Sequence, residues 1–458
     1  MRPATLVAGT GMLWLVLACG FSIAATPDSR PEPRLLGRDL ATFQSDSVPP
    51  KKQFPAGDLS LRQALALALL HNPELAVFSW EIRAKEAEAL QAGLLPNPEL
   101  GIEMENFAGS GEFSGTDSAE TTVTLSQLIE LGGKRGKRRS AAALEADLAG
   151  WDFETKRLDV LTDTTKAFVS ILAAQERLAQ AEELHGLAER FSRTVSERVE
   201  AGKVSPVEKT RARIPLAAAW IAEGQARLAL ETARKELVTL WGDDRAIFAR
   251  AVGALEQVRP VPPLEQLTAL LDRSPDIARW ETEGKQRDAQ VALERTNAIP
   301  DPTLFVGGRN IQETDDHVFV AGFSIPLPLY DRNQGGIAAA QAARSKARHA
   351  SQAAGNEAFA RLAASYRDLS GAALEAMNLK ERILPAAEQA FEASDLGYRA
   401  GKFGFLEVLD AQRTLFAVKG QYIEALAAYH QAKAEVERLI GAPLETDHAP
   451  HQTGEKIR

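Results

Sequence analysis

The stretch VEAGK at residues 199–203 decides the fold, because it recurs as YRAGK at residues 398–402. A glutamate follows each copy at the same distance, Glu208 in the first and Glu407 in the second. The two copies are therefore separated by 199 residues. Because repeat proteins bury each unit against its neighbours, a twofold repeat predicts a pseudo-symmetric wall and argues against an enzyme cleft.

Shorter matches extend this repeat in both directions. They are LPNPEL at 95–100 with IPDPTL at 299–304, NPEL at 72–75 with SPDI at 274–277, and LWG at 240–242 with LIG at 439–441. We therefore predict a first repeat at 58–242 and a second at 264–442, joined by a linker at 243–263. Each repeat is expected to contain a helix, two strands, a long helix and a final helix.

The ends of the chain differ from the repeats. Residues 1–25 combine an early arginine, a short apolar stretch and small residues, which predicts an export signal. Cys19, the only cysteine, lies in a lipoprotein-like sequence. If the signal is cleaved directly before Cys19, this residue would carry lipid; if cleavage occurs later, Cys19 is lost with the signal. Residues 26–57 predict a Pro-rich extended leader, and 443–458 a flexible tail. A net charge of −9 argues against nucleic-acid partners.

Local patterns give the elements of each half. Ser60 and Gln63 form a capping box at the start of a helical stretch that we expect to reach Gly93. Beyond each Pro-x-Pro pair the apolar period changes to two, which predicts strands of about 8 to 10 residues, near the span of a tilted transmembrane strand. The strands alone leave two soluble hairpins as the alternative.

Two long, charged, helical stretches follow the strands, from residues 140–200 and 336–399. At about 1.5 Å per residue each is roughly 90 Å long, and the charges indicate that these helices stand in water. Gly186 and Pro385 are equivalent, so we expect a local irregularity in both helices. Because four strands cannot close a barrel and open edges are not tolerated in lipid, strands that cross a membrane require a barrel shared between chains.

Three further segments carry a resemblance to a known family. They are ELGGKR at 130–135, IPLPLYDRNQG at 325–335 and GKFGFLEVLDAQRTL at 401–415. With LPNPEL, these segments resemble the TolC-family outer-membrane factors, most closely the cobalt–zinc–cadmium type of heavy-metal efflux channel. The resemblance implies a mainly α fold with a small β part. It also implies a homotrimer whose shared twelve-stranded barrel crosses the outer membrane of a Gram-negative bacterium and whose helices form a periplasmic tunnel.

The resemblance also implies a function. The chain would be a passive exit duct for cations, namely divalent heavy metals of the cobalt, zinc, cadmium or nickel class. A periplasmic adaptor would couple it to an inner-membrane transporter of the resistance-nodulation-division type. The sequence has no phosphate loop, zinc-protease motif or nucleophile elbow, so we expect neither an enzyme nor a cofactor or resident metal. The alternatives are drug, solvent or protein export through the same duct, or a non-conducting helical envelope protein.

The same resemblance assigns the site residues. Gly202, Lys203, Gly401 and Lys402 match the periplasmic tips, where an adaptor would dock.

Glu407 and Asp410 match an acidic ring at the periplasmic entrance, and their spacing places both carboxylates on one helix face. Tyr398 and Glu208 match positions that link the coils of the closed entrance. Phe403 stands where the family has an arginine, so this chain departs from the family at the closing latch.

Two smaller features complete the expectations. The basic run at residues 134–139 lies at a strand-to-helix junction, where it could meet the headgroups of outer-membrane lipid. Asp315, Asp316 and His317 are expected to form an exposed turn between strands.

Overall fold

The computed structural model describes residues 57–444. The predicted export signal, Cys19, the leader up to residue 56 and the tail from residue 445 lie outside the described residues. The first half contains β1 (Leu59–Ser60), α1 (Leu61–His71), α2 (Pro73–Ala92), β2 (Glu99–Glu105), β3 (Glu120–Leu128), α3 (Lys134–Glu200) and α4 (Pro206–Thr239). The second half contains β4 (Ala251–Val252), α5 (Leu264–Thr268), α6 (Pro275–Asn297), β5 (Thr303–Ile311), β6 (Asp316–Ser324), α7 (Gln334–Asn378), α8 (Leu384–Arg399) and α9 (Phe405–Ile440).

The first helical stretch is two helices rather than the single one expected. Ser60 and Gln63 form the predicted capping box at the start of α1. The helix then ends at His71, because Asn72 is extended and caps α2 by accepting a hydrogen bond from the Leu75 amide at 3.0 Å. Proline at the first position of α2 fits this new start, since it needs no amide donor there.

The two long helical stretches differ in whether they are interrupted. Helix α3 is continuous for 67 residues, or about 100 Å, so the irregularity expected at Gly186 is absent. In the second half a π-helical turn, Leu379–Ile383, separates α7 from α8 and lies directly before Pro385. Proline cannot donate to the preceding turn and clashes with it, whereas glycine only lowers helix propensity, so only the Pro385 prediction is correct.

The sheet contains all four predicted long strands in the order β2-β3-β5-β6, each antiparallel to its neighbour. The register places one set of apolar side chains on a single face: Leu100, Ile102, Met104, Val123, Leu125, Leu304, Val306, Phe319 and Phe323. Every one of these side chains is exposed in the single chain. Strands β2 and β6 each have a free edge in this sheet.

The inter-repeat segment packs against the middle of the long helices. Strand β4 pairs in parallel with β1, and Leu59 lies opposite Ala251. Phe248, Trp241 and Phe168 share a buried cluster at this level. The segment therefore joins the two halves as part of the core, and its chain path is fixed by packing.

The helices form a wall at two levels. In the half next to the sheet the contacts run α2–α3–α6–α7, and towards the tips they run α4–α3–α9–α8. The outer members, α2 with α4 on one side and α7 with α8 on the other, each lack an extensive neighbour on one flank among the described elements. Within residues 57–444, no helix combines the length and hydropathy that a membrane crossing would need.

Candidate entrance and assembly edges

The first tip is a glycine-terminated helix end. Gly202 has φ +68°, in the left-handed region that favours glycine. Its amide donates to the Val199 carbonyl at 2.9 Å, and the Lys203 amide donates to the Arg198 carbonyl at 2.9 Å. These two bonds define a Schellman motif, which satisfies the last carbonyls of α3 and reverses the chain.

The second tip repeats this geometry. Gly401 has φ +74°, and its amide donates to the Tyr398 carbonyl at 3.0 Å. The Lys402 amide donates to the Gly397 carbonyl at 2.8 Å. Both glycines and the lysine after each are exposed, so the two tips offer similar surfaces, and adaptor docking there stays a prediction.

The helices that leave the tips start differently. Ser205 caps α4, whereas Gly404 precedes α9 and has no side chain to cap it. In its place the Glu407 carboxylate, in the first turn of α9, lies so close that a Cβ on Gly404 would be 2.8 Å from Oε2. Negative charge in a first helical turn is favourable, so Glu407 partly replaces the missing cap.

Glu407 and Asp410 lie on the exposed side of α9. Phe405 and Val408 are on the opposite, buried side, with Val408 only 2% exposed. Neither carboxylate makes an ion pair or a side-chain hydrogen bond within the part of the chain that the structure describes. The spacing therefore presents both charges to solvent on one face, as a constriction requires.

Tyr398 is buried inside the tip, where it packs against residues of α3, α4 and α9. Its ring is 5.3 Å from Phe191, and the Arg198 guanidinium lies 4.9 Å over it. Its hydroxyl has no hydrogen-bond partner among the described residues, and the role of Tyr398 and Glu208 in linking the coils of a closed entrance stays a prediction.

Phe403 packs within its own tip. Its ring lies against Gly397 so closely that a Cβ on Gly397 would be 2.1 Å from Phe403 Cδ2. The side chain is still 48% exposed. The position that carries an arginine in the family therefore holds an apolar contact within the turn and contributes no charged latch.

The polar face of the sheet contains an ion-pair network that the sequence patterns did not reveal. Arg309 on β5 contacts Glu120 on β3 at 2.6 Å and Glu105 on β2 at 3.3 Å, and its Nε donates to the Thr122 hydroxyl at 2.9 Å. One guanidinium thus connects three strands at the end of the sheet away from the helices. Strand alternation placed these residues on one face, but only the register brings them side by side.

Several side chains of the basic run form bonds within the strand-to-helix junction. The Lys134 ammonium pairs with Asp301 at 2.6 Å and also bonds the Ile299 carbonyl. Arg138 pairs with Glu130 at 2.5 Å and donates to the carbonyl of Ala92 at 2.8 Å.

Arg135 donates to the Gly93 carbonyl at 2.6 Å. These side chains thus satisfy carbonyls at the ends of α2 and α6, where positive charge is favourable. Contact with lipid headgroups remains a prediction for exposed Lys137 and Arg139.

The turn expected at residues 315–317 begins three residues earlier and ends two residues earlier. The turn covers residues 312–315, and strand β6 begins at Asp316. His317 pairs across the hairpin with Asn310, whose amide lies 3.1 Å from Nδ1. Within residues 57–444 there is no cluster of three or more His, Cys, Asp or Glu side chains arranged to hold a metal ion.

Comparison with known proteins agrees with this architecture. The sequence profile of the family described as "Outer membrane efflux protein" matches residues 64–243 and 267–442, one match in each repeat and together well over half of the chain. The cobalt-zinc-cadmium resistance protein CzcC of Cupriavidus metallidurans is 36% identical over 410 residues, which cover 89% of this chain and 96% of CzcC.

Two more similarities are consistent with this match. The nickel-cobalt-cadmium resistance protein NccC of Alcaligenes xylosoxydans xylosoxydans is 28% identical over 74% of this chain and 78% of its own length. The solved structure of CusC superposes with a TM-score of 0.71 at 17% identity, over 84% of this chain and 92% of CusC, which shows a shared fold. The mainly helical fold with a small sheet, predicted from the sequence, is therefore confirmed. The chain belongs to the outer-membrane efflux protein family.

Proposed function

We propose that this protein is the outer-membrane exit duct of a tripartite heavy-metal efflux pump, and that it works as a homotrimer. One observation carries the proposal: the chain is open on the same two sides at three levels. Strand β2 and helices α2 and α4 end one side, and strand β6 and helices α7 and α8 end the other. A single rotation axis therefore places one open side of each copy against the opposite open side of the next copy at all three levels. Three copies related in this way form a closed ring.

The membrane position follows from the sheet. Strands of seven to nine residues, tilted in a barrel, match an apolar band about 25 Å tall. The exposed apolar face of the sheet would meet lipid, while the face with Arg309 and its glutamates would line the lumen. Three copies supply twelve strands, whereas an isolated four-stranded sheet would leave unpaired backbone groups in lipid. The charged helices would then form the tunnel in the periplasm.

Cargo and partners are inferred from the relatives. CzcC is named for resistance to cobalt, zinc and cadmium, and NccC for resistance to nickel, cobalt and cadmium. We propose divalent ions of this group as cargo. A passive duct needs an energy source elsewhere, so an inner-membrane transporter of the resistance-nodulation-division type would drive export through an adaptor that docks on Gly202, Lys203, Gly401 and Lys402.

The periplasmic constriction is proposed at Glu407 and Asp410. Threefold symmetry would bring six of these carboxylates towards the axis, because both point to solvent just past the tip of α9. A ring of carboxylates concentrates cations and holds divalent ions longer than monovalent ones. The constriction would therefore make the duct prefer cations, even though residues 57–444 contain no cluster arranged to hold a metal ion.

Single-channel recording of the purified protein in planar bilayers tests both proposals. The double change Glu407→Gln and Asp410→Asn should lower cation preference and relieve block by zinc or cobalt added on the periplasmic side. The matched control, Glu231→Gln with Glu236→Gln, removes two exposed carboxylates in the half of α4 away from the tip and should leave block unchanged.

The outcomes separate the hypotheses. Persistent block in the Glu407 and Asp410 variant would place the constriction elsewhere in a duct that still conducts. Absence of any conductance from the folded wild-type protein would favour a structural envelope protein. Full metal resistance in a deletion strain, with sensitivity to drugs or loss of a secreted protein, would change the cargo but keep the duct.

A further inference from the structure

Helix α4 carries an exposed apolar face that no described part of the chain covers. Ile214, Ile221 and Leu228 recur every seven residues and are 64%, 52% and 64% exposed. Trp220 on the same face is 67% exposed. A seven-residue apolar repeat is typical of a helix that pairs with another helix in a left-handed coil. This face is therefore an unfilled helix–helix interface.

The internal repeat indicates what fills it. Helices α4 and α9 correspond with an offset of 199 residues, since both follow a glycine turn and both end at a left-handed glycine, Gly242 and Gly441. Trp220 thus corresponds to Lys419, and Ile221 to Gly420. In α9 these positions contact α3 of the same chain: the Lys419 ammonium pairs with Glu183 at 3.1 Å.

Further bonds define the same intrachain interface between α3 and α9. The Gln180 amide donates to the Phe416 carbonyl at 2.6 Å, and Lys166 pairs with Glu435. The repeat counterpart of α3 is α7 with α8, so the counterpart of this interface joins α7 and α8 to α4. Within one chain those elements lie on opposite edges, and α4 packs extensively along α3 alone. The missing interface can form only between two copies.

The matching surface on α7 and α8 is also uncovered. Leu374 and Met377 are 64% and 46% exposed just above the π-helical turn, and Ile383 within it is 46% exposed. Arg382 corresponds to Glu183 by the same offset, is exposed, and makes no salt bridge or hydrogen bond among the described residues. Exposed Trp220 and unpaired Arg382 are therefore the repeat equivalents of Lys419 and Glu183, which form a salt bridge inside the chain.

We propose that this face of α4 docks on α7 and α8 of a second copy, with Trp220 stacked on Arg382 of that copy in place of the Lys419–Glu183 salt bridge. The proposal rests on the trimeric duct proposed above and specifies its contacts. A guanidinium over an indole ring is a favourable pair, and the flanking leucine, isoleucine and methionine side chains would shield it from water. The contact would lie about 20 residues from the tips along each helix, or roughly 30 Å above the entrance.

Cross-linking in isolated outer membranes tests the contact. A short bismaleimide should join Trp220→Cys and Arg382→Cys, placed in one chain, into covalent dimers and trimers. The matched control, Lys419→Cys with Glu183→Cys, should give only an internal link that runs as a monomer. Each single-cysteine variant reports any background from Cys19. Adducts between Trp220→Cys and another envelope protein, with none between copies, would overturn the proposal.

A charge exchange provides a second readout that does not depend on cross-linker reach. Trp220→Lys should place two cations together and speed subunit dissociation by about tenfold per interface. Adding Arg382→Glu recreates the intrachain pair between copies and should restore slow dissociation. Failure of this rescue would overturn the pair. A protein that is trimeric and conducting yet shows neither cross-links nor rescue would overturn this inference alone, whereas a folded monomer in the membrane would overturn the proposed duct as well.

Discussion

Replacing Gly401 tests whether the tip geometry matters for docking. A non-glycine residue pays about 1–2 kcal/mol in the left-handed region, and Gly401 sits there at φ +74°. A Cβ at this position would meet nothing within 4 Å, so the whole cost of a substitution lies in the backbone. Gly401→Val should therefore weaken the turn by about 5- to 30-fold in its opening equilibrium. Gly401→Asn should cost much less, because asparagine tolerates this conformation.

The assay follows the two amides that define the turn. Hydrogen exchange of Gly401 and Lys402, read by mass spectrometry on the detergent-solubilised protein, should lose protection in the valine variant by that factor and largely keep it in the asparagine variant. Cross-linking to the adaptor and metal resistance of cells should fall in the same order. Helical Gly284 on α6, which also has open space around it, provides the control: Gly284→Ala should leave all three readouts intact.

Two results would refute this reasoning. Unchanged exchange of Lys402 in Gly401→Val would show that the Schellman motif does not govern the turn. A variant that changes both Gly401 and Gly202 provides the second test. If its turn amides lose protection while adaptor cross-linking and metal resistance stay full, docking does not use the tips.

Two further predictions concern assembly of the chain itself. Arg438 on α9 bonds a carboxylate on α3 at 2.7 Å and one on α6 at 2.6 Å, with only 15% of its side chain exposed, so Arg438→Met should lower the free energy of unfolding by about 1–3 kcal/mol. Thermal unfolding checks this against Arg399→Met, whose exposed pair should be worth less than about 0.5 kcal/mol, and equal losses would contradict it. A Cβ on Gly307 would lie 2.2 Å from the Val123 carbonyl oxygen, so Gly307→Ala should disrupt pairing of β3 with β5 and lower the oligomeric fraction of the purified protein, measured by native gel electrophoresis; an unchanged oligomeric fraction would contradict this prediction.

The sequence predicted those parts of the fold that depend on local chemistry. The capping box at Ser60, the strand alternation and the glycine turns at the tips each follow from a few neighbouring residues. Gly202 and Gly401 both have the positive φ that a helix end of this kind needs. Local patterns were therefore sufficient wherever the determining contacts lie within about one turn.

The failures concern contacts between distant segments. Asn72 caps α2 and also donates to the Leu240 carbonyl at 2.7 Å, so the helix break there is fixed partly by a residue 168 positions away. The sequence placed the basic run at a strand-to-helix junction but did not reveal that Lys134 and Arg138 are held there by groups from other elements. The sequence shows how many charged side chains are present, but only the fold shows which carbonyls and carboxylates they contact.

The two repeats share a fold, but their equivalent helices have different neighbours. This difference explains where the two sequences diverge. One copy of the long-helix interface closes inside the chain, where Lys419 and Glu183 are held together by the fold. The other copy must form between separate molecules, and it has to exclude water without help from chain connectivity. Aromatic and branched apolar residues supply more buried area per side chain than an exposed ion pair, whose net contribution is small. The change from lysine to Trp220 at equivalent positions is then the expected result of placing one half of a duplicated wall at a subunit boundary. If the cross-linking places Trp220 elsewhere, the duplicated halves would have diverged for a reason other than assembly.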